Sequence, residues 1–101
     1  MSAFVIIVDF KLKEGMRPAF RKLIDTNAET TVREERGCQR FDVLEPEGKD
    51  DHIVLYEIYD RRADLDAHVA TQHYKVFDKA SAPMIQEKTV TAYALVREGG
   101  A

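Results

Sequence analysis

Cysteine is nearly absent from this sequence, and the absence is informative. The single Cys38 rules out an internal disulfide. No apolar run approaches the ~20 residues that a membrane span needs. The opening residues, MSAFVIIVDF, lack the basic region of a secretory signal. No cluster of lysine and arginine is suited to neutralising phosphates, and the net charge is only −3. Gly-rich phosphate loops, G-x-S-x-G and the dinucleotide fingerprint G-x-G-x-x-G are also missing. These absences predict a cytoplasmic protein with no nucleic acid, membrane or cofactor to bind. Any catalysis must then rest on side chains, dioxygen or the substrate's own reactivity.

Apolar residues make up 45% of the 101 positions, which argues for a packed core rather than disorder. Length predicts one domain, 1–97, with residues 98–101 as a flexible tail. Residues 3–12 read as a strand with Phe4, Ile6, Val8, Phe10 and Leu12 on one side. Pro18 opens a helix whose apolar stripe is Phe20, Leu23, Ile24, Asn27, Ala28 and Thr31, and Gly37 is its natural stop. Residues 33–36, REER, read as a solvated helix end. Strands follow at 38–44 and 52–59, with the turn chemistry of EPEGKDD between them. Asp60 is placed as the N-cap of a helix carrying Leu65, His68 and Val69. Thr71 caps a second segment with Tyr74, Phe77 and Ser81 as its stripe, and residues 88–97 form the last strand.

The order β-α-β-β-α-β is the ferredoxin-like plan of an α+β protein, with both helices on one face of a four-stranded antiparallel sheet. The strand 52–59 is apolar on both faces, so the open face is expected to pack on a second copy, giving a homodimer.

Three polar residues interrupt apolar patterns. Glu57 shares a row with Ile53, Leu55 and Tyr59; it either reaches an arginine or water, or faces a cavity as a general acid or base. His68 is either bonded to a backbone carbonyl or is a pocket imidazole that moves protons near neutral pH. Asn27 is a boundary residue, or a donor that polarises a substrate carbonyl or steadies an enolate. On one continuous helix His68 and His73 would sit about 140° apart, too far round to share an ion. A break at Thr71 would reorient them, but no further His/Cys cluster completes a site, so no metal is expected. His52 is expected at the surface, Cys38 as a small buried residue, and Tyr56, Tyr59 and Tyr93 as core or interface.

Three segments carry a family resemblance: EERGCQRFDVL (34–44), IVLYEIYDRRADLDAH (53–68) and TQHYKVF (71–77). Their combination, E-x-G-x-x-x-F-D-V-L, then Y-E-x-Y, then H-x-x-T-x-H-Y, resembles the antibiotic biosynthesis monooxygenase domain family, over roughly residues 3 to 96. The resemblance implies a dimeric α+β barrel. It also implies a cofactor-independent enzyme acting on a small oxygenated carbonyl, enol or quinol. Such an enzyme would be a dioxygen-using monooxygenase or, as in the autoinducer-2-degrading branch that these segments look most like, an isomerase of a phosphorylated dione. The chain has no tryptophan, which sets it apart from the haem-degrading branch. Carried over by position, the resemblance implies catalytic roles for His68, Glu57 and Asn27 and substrate binding by His73, Tyr74, Arg40 and Tyr56. The alternative is a non-catalytic binding or interaction module, in which His68 and Glu57 would satisfy one another across a filled interior.

Overall fold

A computed structural model describes residues 2–100. Strand β1 (Phe4–Leu12) leads into helix α1 (Arg17–Glu34), then β2 (Cys38–Leu44) and β3 (His52–Tyr59). Two short helices, α2 (Arg62–Val69) and α3 (Gln72–Ser81), precede a 3-10 turn at Ala82–Met84 and strand β4 (Ile85–Ala94). The sheet order is β2-β3-β1-β4, with every pairing antiparallel. This is the expected ferredoxin-like plan.

Strand register assigns the two faces. Ile6 opposes Glu57 and Ala92, Glu57 opposes Phe41, and Val8 opposes Leu55 and Val90, so these residues form rows under the helices. The opposite rows hold Val5, Ile7, Asp9, Val54, Tyr56, Ile58, Arg40, Asp42 and Tyr93. An irregularity between Cys38 and Arg40 in β2 lets Cys38 point inward while Arg40 points outward.

The core is built on aromatic contacts between Phe10, Phe20 and Phe77, with ring centroids 4.9, 5.6 and 6.3 Å apart. Phe20 and Ile24 on α1 are fully buried, and burying each side chain is worth roughly 1.5–3 kcal/mol. The buried Thr31 hydroxyl donates to the Asn27 carbonyl one turn back, 2.6 Å away, so it enters the core satisfied.

Three boundaries differ from the sequence reading. Gly37 does not end α1 through a left-handed backbone, because positive φ occurs only at Gly15 and Gly48 among the described residues. Its reason is close approach: a Cβ there would collide with the Asp64 side chain of α2. The N-cap of α2 is Arg61, whose N–H donates to Asp64 Oδ2 at 3.1 Å, while Asp60 accepts from Gln39 instead. Strand β4 starts at Ile85, three residues before the expected 88, and ends at Ala94 rather than 97. Its side chains are exposed along nearly its whole length, because the helices cover the other three strands and leave this edge bare.

Candidate active site

Between the sheet and the helices lies a partly open cavity of about 130 Å³. Its walls are apolar, formed by Ile6, Val8, Phe10, Phe41, Leu55 and Leu65, with Lys88 and Val90 of β4 on the uncovered side. Glu57, His68 and Asn27 all border it, and all three are at least 97% buried. The three residues chosen for breaking apolar periodicity therefore meet at one cavity.

Glu57 enters from the inner row of β3. The Tyr59 hydroxyl donates to its Oε1 at 2.6 Å. Burial pushes the Glu57 carboxyl up to about 7, and the Tyr59 bond and the Lys88 charge only partly offset this. It therefore holds its proton toward neutral pH, where an exposed carboxyl would be ionised. Burial also raises the Tyr59 phenol, with the Glu57 charge adding to it, so this hydroxyl stays a donor.

His68 sits in the last turn of α2, ringed by Phe41, Tyr59 and Tyr74 at centroid distances of 6.0, 5.9 and 5.2 Å. Its Nδ1 lies 2.8 Å from Glu35 Oε2, which fixes the hydrogen on Nδ1. Nε2 then carries a lone pair with no protein partner among the described residues. Burial holds His68 below the ordinary histidine range, against the raising effect of Glu35, so the ring is neutral at pH 7. Glu57 and His68 thus bond to different partners, Tyr59 and Glu35. They are not the mutually satisfied pair in a filled interior that a binding module would show.

Asn27 comes from α1. Its Oδ1 is fully buried and is the one buried side-chain polar atom without a partner among the described residues. An unmet buried acceptor costs on the order of 1–3 kcal/mol, a cost that a bound molecule carrying a hydroxyl would offset. With Phe77, Asn27 also lines a second, more open hollow between α1 and α3.

The remaining expectations divide. Tyr74 lines the cavity. His73 does not; its Nε2 lies 2.5 Å from the same Glu35 oxygen that holds His68. Arg40 and Tyr56 lie on the opposite face of the sheet, where Arg40 is exposed and donates to Asp42 at 2.6 Å. Neither reaches the cavity. His52 is half-buried rather than surface-exposed, with Nδ1 2.7 Å from Asp9.

Two site residues escaped the sequence reading. Glu35 belongs to the REER run taken as solvated, yet it opens the motif E-x-G-x-x-x-F-D-V-L and is largely buried. Lys88, on the last strand, stands opposite Phe10 in the register and so lies on the inner row, with Nζ 5.5 Å from that ring's centroid.

Comparison with known proteins gives a consistent result. A family model described as antibiotic biosynthesis monooxygenase matches residues 3–80. A Mycobacterium tuberculosis protein named "Putative monooxygenase Rv0793" is 34% identical over 73 residues, or 72% of this chain and 70% of that one. Its solved structure superposes with a TM-score of 0.86 at 29% identity, covering 98% of this chain and 100% of that one. A structure described as a "Putative antibiotic biosynthesis monooxygenase" from Nitrosomonas europaea superposes with a TM-score of 0.92 at 31% identity, covering 98% and 95%.

Proposed function

Because the chain belongs to the antibiotic biosynthesis monooxygenase family, we propose that it is a proton-abstracting enzyme that oxidises a small quinol or enolisable carbonyl compound with dioxygen and no cofactor. The observation that carries this reading is an apolar cavity bordered by both Glu57 and His68, each held by its own partner. The cavity volume suits a small substrate. About 130 Å³ compares with the ~150 Å³ closed cavity that holds one benzene ring, so a single ring or a short carbon chain fits inside and a larger molecule would project through the open side.

In this mechanism the neutral His68 takes a proton from the substrate through Nε2. The electron pair left behind delocalises onto the substrate oxygen, and the Asn27 Nδ2–H group donates a hydrogen bond to that oxygen. The carbanion form adds dioxygen to give a peroxide, which gains a proton from Glu57. Loss of water then leaves a new carbonyl: one oxygen atom stays in the substrate, the other departs as water, no outside reductant is consumed, and the proton on His68 passes back to Glu57 through water. The assignment of acid and base follows the rule that neighbouring titratable groups with separated affinities for protons take opposite roles.

Lys88 favours a second reading. Its ammonium group at the cavity edge is the cation that a phosphorylated dione would need, and Glu57 could return the proton to an adjacent carbon, giving isomerisation. Both readings include a two-fold dimer, since Ile7, Val54 and Tyr56 leave the outer face of the sheet apolar, with Leu44 and Tyr93 exposed beside them.

The test is incubation with a monocyclic hydroquinone and, separately, a phosphorylated dione, following oxygen uptake and product mass. Oxygen uptake with the quinol is expected, reduced about 10²–10⁴-fold in His68→Ala and Glu57→Gln. A product of unchanged mass from the dione alone would select isomerisation. Turnover that survives both substitutions would eliminate the mechanism.

A further inference from the structure

The histidine pair acquires a third member. Helix α2 ends at Val69 and α3 begins at Gln72, and the break at Ala70-Thr71 turns His73 back toward His68, with ring centroids 5.8 Å apart. Glu35, the C-cap of α1, reaches both from 33 and 38 residues upstream. His68 Nδ1, His73 Nε2 and a Glu35 carboxylate oxygen all lie within 4.8 Å of one another. Two imidazole nitrogens and one carboxylate oxygen are a donor set suited to borderline divalent ions such as zinc or cobalt. With metal–ligand bonds of 2.0–2.2 Å, tetrahedral neighbours stand about 3.3 Å apart. The present separations of 2.8 and 2.5 Å from Glu35 would need to open by less than an ångström.

Access and field also suit a cation. Glu35 and His73 keep side-chain exposures of 14% and 19%, so an ion can enter from water. Beside Glu35 a solvent-open hollow is lined by Gly37, Asp64, Ala67 and Thr71; Arg36 also borders it and opposes the ion. The C-terminal ends of α1 and α2, both negative ends of helix dipoles, meet at the cluster, against the positive N-terminus of α3.

We propose that Glu35, His68 and His73 form a three-ligand site for a borderline divalent cation, and that occupancy switches His68 from proton acceptor to proton donor at the cavity. The switch follows from proton counting. Without metal, Glu35 accepts the Nδ1 hydrogen and Nε2 offers its lone pair to the cavity. An ion that takes the Nδ1 lone pair leaves a neutral ring whose one hydrogen must sit on Nε2. The His68 ring gains no charge and loses no proton; its hydrogen changes nitrogen through water, and the His73 hydrogen that faces Glu35 likewise moves from Nε2 to Nδ1. The switch rests on the role of His68 proposed above, whereas the binding site does not.

The test uses the whole chain stripped with chelator and titrated separately with Co²⁺ and Zn²⁺. One ion per chain is expected, with the visible d–d bands of four-coordinate cobalt and a zinc-dependent rise in melting temperature. His73→Ala and Glu35→Gln should weaken binding at least tenfold, the least that even outer-sphere changes around a metal typically cost. Their metal-free circular dichroism should match the wild type, and His52→Ala should bind normally. Nitrogen-15 NMR should show the His68 hydrogen moving from Nδ1 to Nε2 as zinc is added. Wild-type binding no tighter than that of His73→Ala, or zinc lost only in His52→Ala, would overturn the site. Zinc binding that leaves the His68 tautomer unchanged would overturn the switch. Failure of the quinol and dione assays leaves the metal titration standing, so the two proposals fail separately.

Discussion

Glu57 ties the cavity to stability. Its carboxyl ordinarily titrates near 4.5 and is raised to about 7 by burial. Below 4.5 the folded and unfolded chains both hold the proton. As pH rises through about 7 the folded chain must ionise a buried group, and stability is lost. The gap between 4.5 and about 7 is worth roughly 3 kcal/mol. Glu57→Gln keeps the acceptor for Tyr59 and removes the titration. It should therefore denature at higher urea than the wild type at pH 8 and show little difference at pH 4, with turnover lost at both. Single residues were legible in the sequence where they broke a local period, as Glu57, His68 and Asn27 do. Glu35 was not, because its partners lie 33 and 38 positions away and a glutamate in a charged run carries no local signal of burial.

At the scale of elements, the joint between α2 and α3 sets the site. The Thr71 side chain accepts from the Tyr74 N–H at 3.2 Å and donates to the His68 carbonyl at 2.7 Å, so one hydroxyl both starts α3 and closes α2. Thr71→Ala should cost about 1 kcal/mol in denaturant unfolding, as lost caps do, and Thr71→Ser should recover most of it. Because His68 and His73 flank this joint, the alanine variant should also disturb their NMR signals while leaving those of His52 in place. The elements themselves were readable from period and caps: β1, β2, β3, Pro18 in the first turn of α1 and Thr71 before α3 all stand as expected. The early start of β4 was hidden because the Pro83 turn is only three residues long and passes directly into the strand. Gly37 was misread because glycine after a helix usually signals a left-handed turn, and the steric demand of Asp64 comes from a distant helix.

Across the whole molecule, the sheet's outer face is where the proposed dimer would form. Leu44 and Tyr93 are each about half exposed, 47% and 48%, beside the half-buried Ile7, Val54 and Tyr56. Light scattering should give the mass of two chains. Tyr93→Arg with Leu44→Glu should give one, because opposed charges placed at this face would have to leave water when the copies meet. The architecture could be foreseen from element order; the bare flank at β4 could not, since nothing local in the sequence says how far the helices spread across the sheet.

That bare flank has a dynamic consequence. Strand β4 is held by backbone bonds to β1 alone, with little side-chain packing to reinforce them, and it carries Lys88 and Val90 at the cavity mouth. Local unfolding begins where few apolar contacts back the ladder. Deuterium should therefore replace the amide hydrogens of β4 sooner than those of β1 or β3 in a native-state exchange experiment. Guest molecules would then be admitted by fraying of a ladder rather than by the swing of a side chain, so arrival rates should respond to mild denaturant well before the fold does.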